Sequence, residues 1–256
     1  MPGAAGRIDL WCTFLGDVDQ GLMAKYRTWL CEAERVRQAR FHFEADRRRH
    51  LVARALVRSV LSRYGATAPQ DWLFSADANG RPRIANPPPG LALDFNLSHA
   101  GELAVLAVAA DRAVGVDVES MARETDTDRL ERYFAPAERA ALAALPAAGR
   151  RQRFFELWTL KESYLKARGE GLSLPLDACA FELPGGPGLR LSCEPRLADS
   201  PQRWRFWQFA PRAAYVVSVC GERREREPWL VVHETVPLAW DRSRRVSFTH
   251  TGPQER

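Results

Sequence analysis

The sequence predicts an α+β fold made of two similar halves, and three observations carry that expectation. A helix-forming stretch from His50 to Tyr64 and another from Phe154 to Arg168 each run into a glycine, Gly65 and Gly169. Each then gives way to strand-forming runs, Leu91 to Leu97 with Leu103 to Ala110 in one half, and Trp204 to Phe209 with Ala213 to Cys220 in the other. The third observation is spacing: Gly169 stands 104 residues after Gly65, and Ala213 stands 110 after Leu103. Recurrence of this kind points to a repeated unit, although helix followed by strands is a common order that two unrelated halves would share. The expected division is an N-terminal half over residues 1–112, a C-terminal half over 113–225 and an extension over 226–256, with the boundary near residues 110 to 114.

Taken in order, Ile8 to Leu15 reads as a strand, and Gly21 onward as helical segments rich in basic residues, among them Arg35, Arg37, Arg40 and the triplet Arg47-Arg48-Arg49. In the helix from His50, the apolar positions Leu51, Ala55, Val57 or Leu61, and Tyr64 recur at helical spacing, and Gly65 falls where a left-handed C-terminal cap would sit. Asn79-Gly80 is a hairpin-turn signal, Pro87-Pro88-Pro89-Gly90 a loop, and Ser98-His99-Ala100-Gly101 a turn-prone break between two strands. Val114 to Glu119 is the next strand. Gly185-Gly186-Pro187-Gly188 marks a further turn. From Glu222 on, alternating Glu and Arg and the polar run Asp241 to Arg256 read as a short appended element and a mobile tail.

Composition narrows the class. The chain has 256 residues, enough for one large domain or two modest ones, with 46% hydrophobic and 27% charged residues, as in soluble globular proteins. The net charge of +5 comes from 37 basic against 32 acidic residues, so the signs are interleaved, unlike a generic nucleic-acid binder. Five cysteines at 12, 31, 179, 193 and 220 are scattered and never spaced CxxC, which argues against zinc and against a disulfide framework and for a reducing cytoplasm. The longest apolar stretch, Leu103 to Ala110, is too short to span a bilayer, and the N-terminus lacks a signal-peptide pattern. A soluble, cytoplasmic protein is expected, with no nucleic-acid or membrane partner.

The chemistry centres on carboxylates. In Gly115-Val116-Asp117-Val118-Glu119 the two acids are i,i+2 on a strand and share a face. In Trp158-Thr159-Leu160-Lys161-Glu162-Ser163-Tyr164-Leu165-Lys166, Glu162 and Lys166 are four apart on a helix and emerge side by side. Three carboxylates without a convergent His or Cys form a hard, all-oxygen set suited to Mg²⁺ and tolerant of Mn²⁺, and a neighbouring ammonium suits a bridging phosphate. Taken singly, each acid reads more readily as part of the solvated face of its element, and it is their combination that points to a site. Neither GxxxxGK[ST] nor GxGxxG occurs, so the two commonest nucleotide folds are excluded. Ser98 and His99 diverge if they lie on a strand, so they are not a nucleophile pair, but both can donate to phosphates.

Five ordered motifs together resemble those of the Sfp-type 4'-phosphopantetheinyl transferases. They are Gly80-Arg81-Pro82, Phe95-Asn96-Leu97-Ser98-His99, Gly115 to Glu119, Phe155 to Lys166, and Gly171-Leu172-Ser173-Leu174-Pro175-Leu176, within a match from about Arg35 to Glu182. The resemblance implies a pseudo-twofold monomer of two α/β halves with coenzyme A in the cleft between them. It implies Mg²⁺ on Asp117, Glu119 and Glu162 against the coenzyme A pyrophosphate, which Lys166 would also bind. Ser98, His99 and Arg81 would contact phosphates and adenosine, and Arg49 with Arg37 the 3'-phosphate. The family often carries a basic residue near position 34, where this chain has Glu34; Arg35 would substitute.

The implied reaction is attack by a serine hydroxyl of an acyl or peptidyl carrier protein on the pantetheine-side phosphorus, with loss of adenosine 3',5'-bisphosphate. Glu162 and Lys166 would be catalytic, Glu162 accepting the serine proton. A basic face of Arg150 to Arg153 with Lys161 and Arg168 would steer the acidic carrier, and apolar residues of Gly171 to Leu176 and Tyr133-Phe134 would dock it. Two other classes compete. A Mg²⁺-dependent phosphodiesterase would consume coenzyme A without a protein acceptor, and a nucleic-acid binder would need unpaired basic stripes, whereas Arg47 to Arg49 lies beside Glu44 and Asp46.

Overall fold

A computed structural model describes residues 4–87, 89–90, 92–124, 130–171, 174–184 and 188–250. Pro88, Leu91, Leu172, Ser173 and Gly185-Gly186-Pro187, all named above as loop, strand or motif positions, lie outside the described residues. Along the chain come β1 (Arg7–Phe14), α1 (Gln20–Trp29), α2 (Glu32–Ala39), α3 (Glu44–Leu61), β2 (Phe74–Ala76), β3 (Pro82–Ile84), β4 (Leu93–Ala100), β5 (Leu103–Ala110) and β6 (Val114–Ser120). Then follow α4 (Pro136–Ala143), α5 (Ala147–Arg168), β7 (Cys179–Glu182), β8 (Arg190–Cys193), β9 (Trp204–Phe209), β10 (Tyr215–Glu222), β11 (Trp229–Val236), β12 (Trp240–Arg244) and β13 (Thr249–His250). No helix among the described residues is long and apolar enough to cross a membrane.

The chain forms two compact units, Met1–Asp111 with Trp229–Arg245, and Arg112–Pro228 with Val246–Arg256. In the first, the sheet order is β12-β11-β1-β5-β4. Helix α3 lies on this sheet because Leu51, Val52, Ala55, Leu56 and Val60 make one continuous apolar side, and these pack with Trp11, Trp72, Leu106 and Val108. Each such valine or leucine side chain contributes roughly 1.5–3 kcal/mol by leaving water. The segment expected as an extension supplies two strands to this sheet: Trp229-Leu230-Val231-Val232 is a β-prone run, and β11 pairs in parallel with β1 while β12 zips antiparallel onto β11; β13, further along, joins β9 of the other sheet.

Two turn assignments differ from expectation. Helix α3 ends at Leu61 without a left-handed glycine, because the Ser62 hydroxyl donates to the Arg58 carbonyl at 2.9 Å and itself accepts from Trp72 Nε1 at 2.9 Å. Ser98 and His99 belong to strand β4, which runs on to Ala100; the hairpin turns at Gly101-Glu102, with Gly101 at φ 52 and Ala100 opposite Leu103.

The second unit carries the sheet β13-β9-β10-β6, against which α5 packs. Its core includes Phe155, Leu160, Tyr164, Phe206 and Val216. Gly169 closes α5 in the left-handed conformation at φ 71, its N–H reaching the Leu165 carbonyl. Both units use one connectivity: β1, α3, then the β4-β5 hairpin, and β6, α5, then the β9-β10 hairpin. In each, the second hairpin strand lies antiparallel to the first strand of the unit.

Candidate functional site

The site in the second unit begins with a glycine. A Cβ on Gly115 would stand 2.1 Å from the Ser163 carbonyl and 2.4 Å from the Ala167 nitrogen, so only glycine lets β6 lie this close to α5. Asp117 and Glu119 follow at two-residue intervals and share that α5-facing side, while Val116 and Val118 are buried on the other. Glu162 precedes Ser163 and Lys166 precedes Ala167, so the same close approach delivers both to the strand acids.

Lys166 Nζ donates to Asp117 Oδ1 at 2.6 Å and to the Val116 carbonyl at 3.1 Å. Arg123 Nη1 donates to both Glu119 oxygens, at 3.0 and 3.1 Å. Asp117, Glu119, Arg123 and Glu162 line one cavity of about 280 Å³, closed on its apolar side by Leu130, Phe154, Phe155 and Trp158. Burial first, then the charge of Asp117, pushes the Glu162 carboxyl up to about 7 against the pull of Lys166. Glu119 is raised for the same two reasons, with Arg123 opposing.

The Asp117 charge thus adds to the proton affinity of Glu119 and Glu162, which a shared divalent cation would relieve, and the all-oxygen character of the set fits Mg²⁺. Among the described residues no three His, Cys, Asp or Glu side chains stand as a ready metal-ligand group. Lys166 and Arg123 engage two of the three acids in its place.

Several neighbours differ from expectation. Lys161 is fully buried, its Nζ bonded to Glu138 Oε2 at 2.8 Å and to the carbonyls of Leu176 and Cys179, so it ties α4 and α5 to β7 rather than facing a partner. Arg168 is held by Asp199, Glu170 and Tyr164. Neither belongs to a steering face. Phe134, Leu174 and Leu176 are core residues, which removes them as docking contacts.

In the first unit, Arg37 and His99 line a second cavity of about 180 Å³ together with His50, Arg54 and Asn96. Burial and the neighbouring Arg54 and Arg37 hold the His50 imidazole down at about 4, so the pocket is cationic from its arginines. Arg49, Arg81 and Ser98 do not line it. Arg49 donates to Asp46 Oδ1 at 2.8 Å, Arg81 is buried on Asp94 Oδ2 at 2.6 Å, and Ser98 is buried on the strand face opposite His99. Glu34, the acidic departure, clamps Arg54 at 2.5 Å and Arg58 at 2.8 Å and accepts from the Cys31 N–H, while Arg35 reaches Glu32. Sequence reasoning missed His50, Arg54 and Arg123. His50 and Arg54 stand four apart on α3 and were readable as one face, whereas Arg123 follows a turn that carries no periodic signal.

The sequence profile of the 4'-phosphopantetheinyl transferase superfamily matches residues 113–220, and that of the 4'-phosphopantetheinyl transferase N-terminal region matches residues 22–111. The chain belongs to the 4'-phosphopantetheinyl transferase superfamily, with an α+β fold of that type. Among relatives, the 4'-phosphopantetheinyl transferase HetI of Nostoc sp. is 37% identical over 145 residues, which cover 56% of this chain and 61% of HetI. The 4'-phosphopantetheinyl transferase Sfp of Bacillus subtilis is 31% identical over 197 residues, covering 77% of this chain and 84% of Sfp. The solved holo-[acyl-carrier-protein] synthase of Thermotoga maritima overlaps 48% of this chain and 69% of its own, with a TM-score of 0.36 at 19% identity. The chain thus spans less than two thirds of HetI and most of Sfp.

Proposed function

We propose that this chain transfers the 4'-phosphopantetheine group of coenzyme A to a serine of an apo acyl or peptidyl carrier protein and releases adenosine 3',5'-bisphosphate. The observation that carries the proposal is the acid set Asp117, Glu119 and Glu162 on one cavity beside Lys166, in a chain of this family. In the transfer, the serine oxygen forms a bond to the pantetheine-side phosphorus, the pyrophosphate P–O bond breaks, and the serine proton passes to a Glu162 carboxylate oxygen. Lys166 is fixed beside Asp117 and offers positive charge to the departing bisphosphate. Asp117, Glu119 and Glu162 would hold Mg²⁺, which supplies charge neutralisation for the pyrophosphate oxygens.

The pocket lined by Arg37, His50, Arg54 and His99 supports coenzyme A binding, since its arginine charge suits a phosphate. The chain would act as a cytoplasmic monomer, consistent with five free cysteines. Intact-mass analysis of several apo carrier proteins, incubated with the protein, coenzyme A and Mg²⁺, tests the proposal. A gain of one phosphopantetheine supports it, whereas coenzyme A cleavage without carrier would favour the phosphodiesterase.

A further inference from the structure

Arg123 turns back from the end of β6 to grip Glu119, and the two ends of this pair differ: the Glu119 side chain is 9% exposed and that of Arg123 is 60% exposed. The guanidinium lines the same cavity as Asp117 and Glu162. Its backbone is anchored where its side chain is not. Arg151 of α5 donates to the carbonyls of Met121 and Arg123, the Met121 N–H donates to Ala214 O at 2.8 Å, and the Arg123 N–H donates to Ser120 O at 3.0 Å. The tether is thus fixed at its root, and its tip is bathed in water, so releasing Glu119 costs far less than breaking a buried pair.

A carboxylate that gives both oxygens to a guanidinium has none to offer a divalent cation without bringing two positive charges together. From that geometry we infer that Arg123 is a built-in counter-ion, which holds Glu119 while the cation is absent and must leave it when the cation binds, so that Arg123 sets the metal affinity of the site. The inference rests on the metal reading of Asp117, Glu119 and Glu162. Lys166 is a different case: it is 24% exposed and also bonded to the Val116 carbonyl, so it stays beside Asp117.

Calorimetric titration of the full chain with Mn²⁺ alone, without coenzyme A, tests this. Arg123→Ala is expected to bind Mn²⁺ about fivefold more tightly than the unaltered chain. Arg139→Ala, which removes an exposed arginine of α4 that does not line the cavity, is expected to change nothing. Equal affinities of Arg123→Ala and the unaltered chain, with Glu119→Gln weakening both, would overturn the counter-ion role and leave the metal site standing. An equal gain from Arg139→Ala would also overturn it, by showing that only net charge matters. Absence of Mn²⁺ binding in all variants would remove the metal reading and this inference together.

Discussion

Strands β1 and β6 occupy the same place in the connectivity of their units, and each buries an aspartate held by a basic side chain, yet the second shares its cavity with further carboxylates. Asp9 on β1 is closed off by its own neighbours: Arg7 donates two nitrogens to Oδ1 at 2.8 and 2.6 Å, His233 Nε2 lies 2.8 Å from the same oxygen, and the Tyr64 hydroxyl donates to Oδ2 at 2.8 Å. Burial pushes the Asp9 carboxyl up, but the hydrogen bonds from His233, Arg7 and Tyr64 outweigh it and hold the group below the ordinary carboxylate range. Around β6 the neighbours include more acids, and Glu162 rises to about 7. The difference lies in what is brought to the strand. In one unit Tyr64, just beyond α3, offers a donor; in the other α5 offers a third carboxylate along with Lys166, so that three acids face two bases, Lys166 and Arg123.

The largest effect expected from this contrast is on transfer. Asp117→Ala or Glu162→Ala should lower it by about 10²–10³ or more, with the circular dichroism spectrum unchanged, because each removes an anionic oxygen from the cavity and no core contact. Near-normal turnover of either variant at low Mg²⁺ would show that the acids of this cavity are not the working ones. Asp9→Ala should behave in the opposite way. It strands Arg7, His233 and the Tyr64 hydroxyl, so urea unfolding should report a stability loss of about 2–4 kcal/mol while the folded fraction keeps its transfer rate. A loss of transfer without a loss of stability would erase the distinction between the two strands.

How much of this could be read from the chain depends on the range of each interaction. The alternation in Val116-Asp117-Val118-Glu119 and the i,i+4 pair Glu162 and Lys166 are local, and the ordered motifs were enough to identify the family. Partners distant in sequence were not legible. Lys161 and Lys166 look alike on one helix, but Glu138 from α4 takes the first into the core while Asp117 from β6 keeps the second at the cavity. Glu34 looked like a missing base and is instead the anchor of Arg54 and Arg58 across α2 and α3. The β-prone run after Trp229 showed a strand-forming composition but not its partner, because pairing with β1 spans more than two hundred residues of chain and leaves no local signature.

The smallest effect, and the most discriminating, is in the pH dependence of stability. The folded metal-free protein binds a proton at Glu162 more tightly than the unfolded chain does, since the folded value near 7 lies above the ordinary 4.5. Its contribution is therefore fully present below about pH 4.5 and is lost as the pH rises through 7. Asp9 has the opposite sign: its lowered value gives a contribution that is present above the ordinary carboxylate range and lost in acid. Glu162→Gln, unfolded by urea in chelator across this range, should lose the downward slope between pH 4.5 and 7. It should also exceed the unaltered chain by about 1–3 kcal/mol at pH 8. Excess Mg²⁺ should then narrow the gap by stabilising the unaltered chain more than the variant, because only the former keeps all three acids for the cation. Parallel pH profiles for the two proteins would mean that the acids around β6 do not strain one another, and the contrast with β1 would fail.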